Sequence, residues 1–215
     1  MSLDAVAPLR KIGVFGGAFD PPHQAHVTLA KVAIESLGLD ELRIIPTGQA
    51  WHKTRTLSAP EHRLAMTRLT FDGVPQAVVD SRELARTGPS FTIDTLRSLQ
   101  AENPEAQFYL IMGADQFAAF RQWHEWQSIA QLAIICIASR AGSDCASSPF
   151  DAYPAHKERF LMLPMPAMAV SATHIRQLLA DHSLHGSSGF AALSGMVAEP
   201  VARYISHHRL YGMAL

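Results

Sequence analysis

The sequence predicts an α/β fold, a Rossmann-like, doubly wound parallel sheet with helices on both faces. Short apolar runs alternate along the chain with segments that carry apolar residues at helical spacing. These runs are apolar throughout rather than at every second residue, which is typical of parallel strands that are buried on both faces. The chain shows no internal repeat.

The first elements set this pattern. Residues 12–15 form a short apolar run that ends in Gly16-Gly17, as expected for a buried strand. Residues 26–37 carry apolar side chains close to the 3.6-residue period of a helix, and Gly38 is placed to stop it. The same criteria predict, in chain order, strand 42–46, helix 60–71, strand 77–80, helix 92–101, strand 108–112, helix 123–130, strand 132–138 and strand 160–163.

Length, charge and composition exclude several classes of function. A chain of 215 residues fits a single domain, 1–215 with a core of about 11–211. The net charge of −1 argues against nucleic-acid binding. The apolar run 132–138 is far shorter than the ~20 residues that span a bilayer, and the first residues lack the features of a signal peptide. Cys136 and Cys145 form no CxxC pair, so we expect free thiols and a cytoplasmic protein without a membrane partner.

The strongest functional signal is GGAFDPPHQAH, residues 16–26, directly after the first strand. Two glycines allow backbone N–H groups to approach an anion closely. His23 and His26 then stand at the start of a helix, beside the positive end of its dipole, where phosphates bind. A tight turn with two surface histidines is the plainer alternative.

Other nucleotide and metal patterns fit this segment poorly. It contains neither the GxGxxG of dinucleotide-binding dehydrogenases nor a GxxxxGK[ST] P-loop. A zinc site would need a Cys or Glu partner at the usual spacing, which His23 and His26 lack, so we expect no protein-bound metal here.

A second cluster is VSATHIR, residues 170–176. Ser171 or Thr173 can cap the helix that follows, and Arg176 adds a guanidinium within its first turns. Together with free helix N–H groups, these side chains would form a second phosphate site. Taken alone, Ser or Thr before a helix is usually only a cap.

These segments together resemble a known family. GGAFDPPHQAH is similar to the (H/T)xGH signature of the nucleotidyltransferases, and SATHIR is similar to their SxTxIR segment. WHK (51–53), REL (82–84) with SFT (90–92), and MGAD (112–115) with Trp123 narrow the resemblance to the bacterial nicotinate-nucleotide adenylyltransferases. The resemblance runs from Ile12 to Tyr211, with its motifs in the family's order.

The resemblance implies that the adenylyl group of ATP is transferred to nicotinate mononucleotide, giving deamido-NAD and pyrophosphate. The mononucleotide's phosphate attacks the α-phosphorus directly, and His23, His26 and Arg176 carry the catalytic roles. Mg²⁺ is implied as the cofactor of ATP, with few protein ligands. The implied ATP-binding residues are Gly16, Gly17, Ala18, Phe19, His23, His26, Ser171, Ile175 and Arg176.

The resemblance also implies an acceptor site. Asp115 would bind ribose hydroxyls, Trp123 would stack on the pyridine ring, and Thr92 with the backbone at His124 would donate to the nicotinate carboxylate. The basic residues would cradle the mononucleotide's phosphate. Core packing for Trp123 and a solvated position for Arg140 are the plainer alternatives. The implied substrate-binding residues are His52, Lys53, Thr92, Asp115, Trp123, His124 and Arg140.

The chain departs from the family pattern at three positions, and other functions stay open. Ala25 replaces the glycine of (H/T)xGH, Phe91 stands where Tyr is common, and His124 stands where an aromatic residue is frequent. The last two bear on selectivity for nicotinate over nicotinamide mononucleotide. Phosphopantetheine as acceptor, or a silent nucleotide-binding protein on the same fold, are further alternatives. A homo-oligomer is compatible with the sequence.

Overall fold

The computed structural model describes residues 9–49, 56–140, 154–184 and 191–212. Its centre is a six-stranded sheet in the order β3-β2-β1-β4-β5-β6, and every neighbouring pair is parallel. This order is that of a doubly wound sheet, so the predicted fold class is confirmed. The strands are β1 (Lys11–Gly17), β2 (Glu41–Pro46), β3 (Ala77–Val79), β4 (Gln107–Gly113), β5 (Ala133–Arg140) and β6 (Phe160–Met165).

Helices connect the strands and close the chain. The α-helices are α1 (Gln24–Leu37), α2 (Pro60–Phe71), α3 (Arg82–Ala85), α4 (Thr92–Glu102), α5 (Ala114–Ala118), α6 (Trp126–Leu132), α7 (Ala172–Leu184) and α8 (Glu199–His207). Short 3₁₀ turns lie at Phe120–Gln122, Pro154–Arg159, Ala191–Leu193 and Leu210–Gly212. Among the described residues, no helix is both long and apolar enough to cross a membrane.

The predicted helix 123–130 is wrong at its beginning. Trp123 has extended backbone angles, and the helix begins at Trp126. Glu125, directly before it, adopts a left-handed conformation with φ of 51°, which no α-helix can continue through. The apolar spacing across Trp123 and Trp126 arises instead because both rings pack on the same core residue, Phe120.

The sheet separates two apolar cores. Alternate residues of each strand face opposite sides, so Val14 of β1 belongs to one core and Phe15 to the other. Helices α4 and α6 cover the first face, and α1 covers the second. A third apolar cluster joins α2, α7 and α8. Cys136 is a free, buried thiol whose pKa burial raises to about 12, and Cys145 lies outside the described residues.

The position of β1 determines where a ligand can bind. Strand β1 pairs with β2 on one side and with β4 on the other, so the connections that leave these strands run in opposite directions along the sheet. In doubly wound sheets the resulting crevice at the carboxyl ends of the strands is the usual binding place. Gly17 and Gly113 end β1 and β4 at this crevice.

Candidate active site

The loop from β1 to α1 forms the centre of the crevice. Phe19 takes a left-handed conformation with φ of 46°, which is strained for a side chain of this size. Its ring packs edge-on against Phe15 and Phe71, at 5.6 and 6.0 Å between ring centroids. This packing and the hydrogen bonds of the neighbouring residues stabilise the left-handed conformation of Phe19. The loop therefore has a defined conformation.

Asp20 joins this loop to two distant segments. Its carboxylate accepts hydrogen bonds from the Tyr211 hydroxyl at 2.6 Å and from the Ser58 N–H at 3.2 Å, and the residue is 1% exposed. Burial and the neighbouring carboxylate raise the pKa of Tyr211, so its hydroxyl remains a donor. The backbone carbonyl of Asp20 accepts a further bond from Arg176 at 2.7 Å.

His23 and His26 stand side by side at the start of α1. His23 occupies the position before the first helical residue, and the two rings stack with centroids 3.8 Å apart. The Nδ1 atom of His26 accepts a hydrogen bond from the backbone N–H of His23 at 3.1 Å. In its neutral form, the His26 ring therefore carries its proton on Nε2.

His23 is a neutral imidazole near neutral pH. Burial lowers the pKa of His23 from 6.5 to about 4, because the charged ring would lose its hydration. Its Nδ1 atom is buried and has no hydrogen-bond partner among the described residues. A buried polar atom without a partner costs free energy, which a bound ligand can recover.

Arg176 faces the histidines from α7. The guanidinium contacts the Asp20 carbonyl and the hydroxyl of Thr173, the latter at 3.1 Å. The Ser171 hydroxyl accepts from the His174 N–H at 3.2 Å and so caps α7, while the residue also lines the cleft. Ile175, also predicted as an ATP-binding residue, is 0% exposed, and its side chain packs in the third apolar cluster.

Two spaces meet at this loop. The larger is a cleft of about 810 Å³, within the ~300–1,000 Å³ usual for small-molecule sites. It is lined by His23, His26, Ser171, Arg176 and Asp115, among other residues. A smaller pocket lies on the side of α4, and its lining includes Thr92, Trp123 and His124. Both spaces share Gly16, Gly17, Ala18 and Gln116.

Aromatic rings form one wall of the smaller pocket. Trp123 is partly buried against the first core, with its ring 5.7 Å from that of Phe120. Phe91 and His124, two of the departures from the family pattern, lie against each other with ring centroids 4.5 Å apart. Thr92 begins α4, whose first N–H groups have no partner within the helix. The pocket thus combines flat apolar surfaces with backbone donors.

The remaining sequence-predicted residues are placed differently. Asp115 lines the cleft with the histidines rather than the smaller pocket. Arg140 is the last residue of β5, at the same edge of the sheet as Gly113. His52 and Lys53 lie outside the described residues. Among the described residues, no three His, Cys, Asp or Glu side chains are grouped to hold a metal ion.

Comparison with known proteins identifies the family. The family model described as "Cytidylyltransferase-like" matches residues 14–178. A protein of Albidiferax ferrireducens named "Probable nicotinate-nucleotide adenylyltransferase" is 56% identical over 96% of this chain and 100% of its own length. A protein of the same name from Methylibium petroleiphilum is 42% identical over 95% and 94% of the two chains. The chain belongs to the nicotinate-nucleotide adenylyltransferase family.

A solved structure with low sequence identity has a similar fold. The Plasmodium falciparum nicotinic acid mononucleotide adenylyltransferase complexed with NaAD superposes with a TM-score of 0.75, over 95% of this chain and 98% of that one. The two sequences are 18% identical, so this likeness concerns the fold. The doubly wound sheet is therefore shared with a protein of low sequence identity.

Three residues at or beside the smaller pocket were not predicted from the sequence. Glu83 on α3 is a buried carboxyl that accepts from the Thr95 hydroxyl at 2.8 Å, and burial raises its pKa. The Ser90 hydroxyl is buried beside the smaller pocket without a hydrogen-bond partner among the described residues. Gly48 packs against both of them. The REL and SFT segments contain Glu83 and Ser90, but their spacing alone does not show that the pair meets.

We expect Gly48→Ala to damage this side of the site. An added Cβ would lie 2.7 Å from the Ser90 hydroxyl and collide with the backbone carbonyl of Glu83, which cannot rotate away. The matched control is Gly73→Ala, where a Cβ meets no atom within 4 Å. Thermal unfolding should show a loss of several degrees for the first variant and little change for the second. Equal melting temperatures would contradict the described packing.

The pKa of His23 predicts a pH dependence of stability. Unfolded His23 binds a proton below pH 6.5, whereas the folded ring does so only near pH 4, so the folded state is destabilised as pH falls through this interval. His23→Gln removes this effect. Between pH 7 and pH 5 we expect the free energy of unfolding to fall about 2 kcal/mol further in the wild type than in the variant. Urea denaturation at both pH values measures this difference, and parallel losses would refute it.

Proposed function

We propose that this chain transfers the adenylyl group of ATP to nicotinate mononucleotide, forming deamido-NAD and pyrophosphate. The observation that carries the proposal is the meeting of two differently lined spaces at one loop, Gly16–Ala18. One space offers phosphate-directed donors, and the other offers aromatic walls and a helix N-terminus. Membership of the family and the names of the relatives support the same pair of substrates.

The reaction needs positioning rather than a covalent enzyme intermediate. An oxygen of the mononucleotide's phosphate forms a bond to the α-phosphorus of ATP, while the bond from that phosphorus to the bridging oxygen of the β-phosphate breaks. The electron pair leaves with pyrophosphate. Both substrates are anionic, so the protein's main task is to bring them together and to stabilise the charge on the leaving group.

We assign this task on the ATP side to three side chains, those of His23, His26 and Arg176. His26, whose Nδ1 accepts from the His23 N–H, and the stacked ring of His23 both line the cleft, where we propose that they donate hydrogen bonds to the phosphates of ATP. Arg176 supplies the positive charge, held by its bond to the Asp20 carbonyl. Neutral imidazoles beside a helix N-terminus can donate to phosphates without depending on a low pH.

The smaller pocket suits a nicotinate ring. Trp123 offers a flat face for stacking, and the first N–H groups of α4 at Thr92 favour a negative group such as a carboxylate. An uncharged amide gains less from a helix N-terminus than a carboxylate does. We propose that His52, Lys53 and Arg140 contact the mononucleotide's phosphate, and that Asp115 accepts hydrogen bonds from ribose hydroxyls.

Mg²⁺ fits this site as part of the ATP complex. The Asp20 carboxylate is occupied by Tyr211 and Ser58, and the described residues provide no cage of metal ligands. Mg²⁺ is commonly held by substrate phosphates and water with few protein ligands. When bound to ATP, the ion would neutralise charge on the phosphates. The protein's own donors remain those of the His pair and Arg176.

The first test is pyrophosphate release from Mg-ATP with nicotinate mononucleotide and nicotinamide mononucleotide in parallel. We expect a preference of ~10²-fold in kcat/KM for the nicotinate form, equivalent to ~3 kcal/mol in transition-state binding. Comparable rates would mean that the acceptor pocket does not select the carboxylate. No release with either substrate from folded protein would refute the proposed function.

A second test removes one donor. His26→Ala should lower kcat by ~10²-fold, the usual loss when a donor to a developing oxyanion is deleted. His207→Ala is the matched control, since His207 is exposed on α8 and remote from both spaces. Circular dichroism establishes that both variants are folded. A folded His26→Ala variant with near wild-type turnover would exclude this role for His26.

A further inference from the structure

Arg63 is a buried arginine that no part of the proposed function uses. It lies in the first turns of α2 and is 1% exposed, the largest of the fully buried side chains described. Burying a guanidinium is costly unless its donors are satisfied. Because its burial costs free energy, Arg63 is a candidate for a specific structural or functional role.

Its hydrogen bonds join three segments of backbone. Nε donates to the Ser58 carbonyl at 3.0 Å, and Nη1 donates to the carbonyls of Ala18 at 3.0 Å and Thr47 at 2.7 Å. These segments are also joined to the β1–α1 loop directly, because the Thr47 N–H donates to the Gly17 carbonyl at 2.8 Å. Ser58 in turn donates to the Asp20 carboxylate. Arg63 is thus the shared donor at the back of the loop.

The bond to Ala18 fixes a peptide plane. In a trans peptide the carbonyl and the following N–H point in opposite directions. While Arg63 holds the Ala18 carbonyl on the α2 side, the N–H of Phe19 must point away from α2. The Phe19 ring packs against Phe15, Phe71 and the cleft residue His26, and the residue lines the cleft although it is only 1% exposed. The ring carries no hydrogen-bond donor, so the backbone N–H is the donor that Phe19 can offer to the cleft.

The same peptide is under strain. Phe19 has a φ of 46°, a conformation that an aromatic residue adopts only when its surroundings enforce it. Arg63 binds the carbonyl before Phe19, and Arg176 binds the carbonyl after it, at Asp20. The two guanidinium groups therefore hold the strained residue from both sides. Arg176 lines the cleft, whereas Arg63 acts from behind it.

We propose that Arg63 is a positioning residue for adenylyl transfer, which holds the Ala18 carbonyl so that the Phe19 N–H is directed at the phosphates of ATP. The inference rests on the proposed function for the identity of the bound anion. Lysine cannot replace Arg63, since one ammonium group does not reach three carbonyls with the planar fork of a guanidinium. Arg63 does not touch the substrate.

Kinetics of Arg63→Lys and Arg63→Met test the proposal, with Arg68→Lys as control. Arg68 is an exposed residue of the same helix. We expect kcat at saturating ATP to fall at least ~10-fold in both Arg63 variants, a partial loss of one phosphate donor, and to stay unchanged in Arg68→Lys. Folded Arg63 variants with wild-type kcat, whatever their melting temperatures, would overturn the proposal. Absence of turnover in the wild type would instead count against the proposed function.

A spectroscopic measurement on the wild type does not depend on whether the variants fold. Ala18–Phe19 and Ala119–Phe120 are the Ala-Phe pairs of the sequence, so labelling alanine carbonyl carbons and phenylalanine nitrogens selects their two amide signals. On adding Mg²⁺ and α,β-methylene-ATP, the Phe19 amide proton should move downfield as it bonds to phosphate. Phe120, buried in the first core, is the internal control. A bound nucleotide that leaves the Phe19 signal in place would overturn the proposal.

Discussion

The rest of the structure depends on the central position of β1, which pairs with two strands whose connections run in opposite directions along the sheet. Because β1 is hydrogen-bonded to β2 and β4, its carboxyl end lies between two chain segments that diverge. The loop at this end is bonded to α2 through Arg63, to α7 through Arg176 and to the C-terminal segment through Tyr211. The cleft and the smaller pocket are the spaces left on either side of it.

Electrostatics of the site follow from this enclosed position. Burial keeps His23 neutral near neutral pH, so His23 adds no positive charge to the cleft, whereas the N-terminus of α1 and Arg176 do. Arg63 and Arg176 each direct guanidinium donors to backbone carbonyls of the loop, and in this way the backbone N–H groups are left to other partners. The carbonyls of Ala18 and Asp20 are therefore both satisfied by guanidinium groups of the protein.

Much of this arrangement was predictable from local sequence. The six strands are short apolar runs, and α1, α2 and α4 lie where helices were predicted, whereas the short helices α3 and α5 were not predicted from the apolar pattern. The helix predicted at residues 123–130 begins too early, because the left-handed conformation of Glu125 cannot be deduced from the spacing of apolar residues. Ile175 was assigned to the site through its motif, although its own apolar character explains its burial. Arg63 could not be predicted, since its partners are carbonyls from three distant segments and every residue has a carbonyl.

The bond between Tyr211 and Asp20 joins residues 191 positions apart in the sequence. The ribosome synthesises the chain from its N-terminus, so the β1–α1 loop emerges long before the Tyr211 hydroxyl that anchors it. The sheet up to β6 can assemble earlier, because its strands pair with neighbours already made. During synthesis the loop therefore remains without this anchor until Tyr211 has left the ribosome, after all six strands of the sheet have been made.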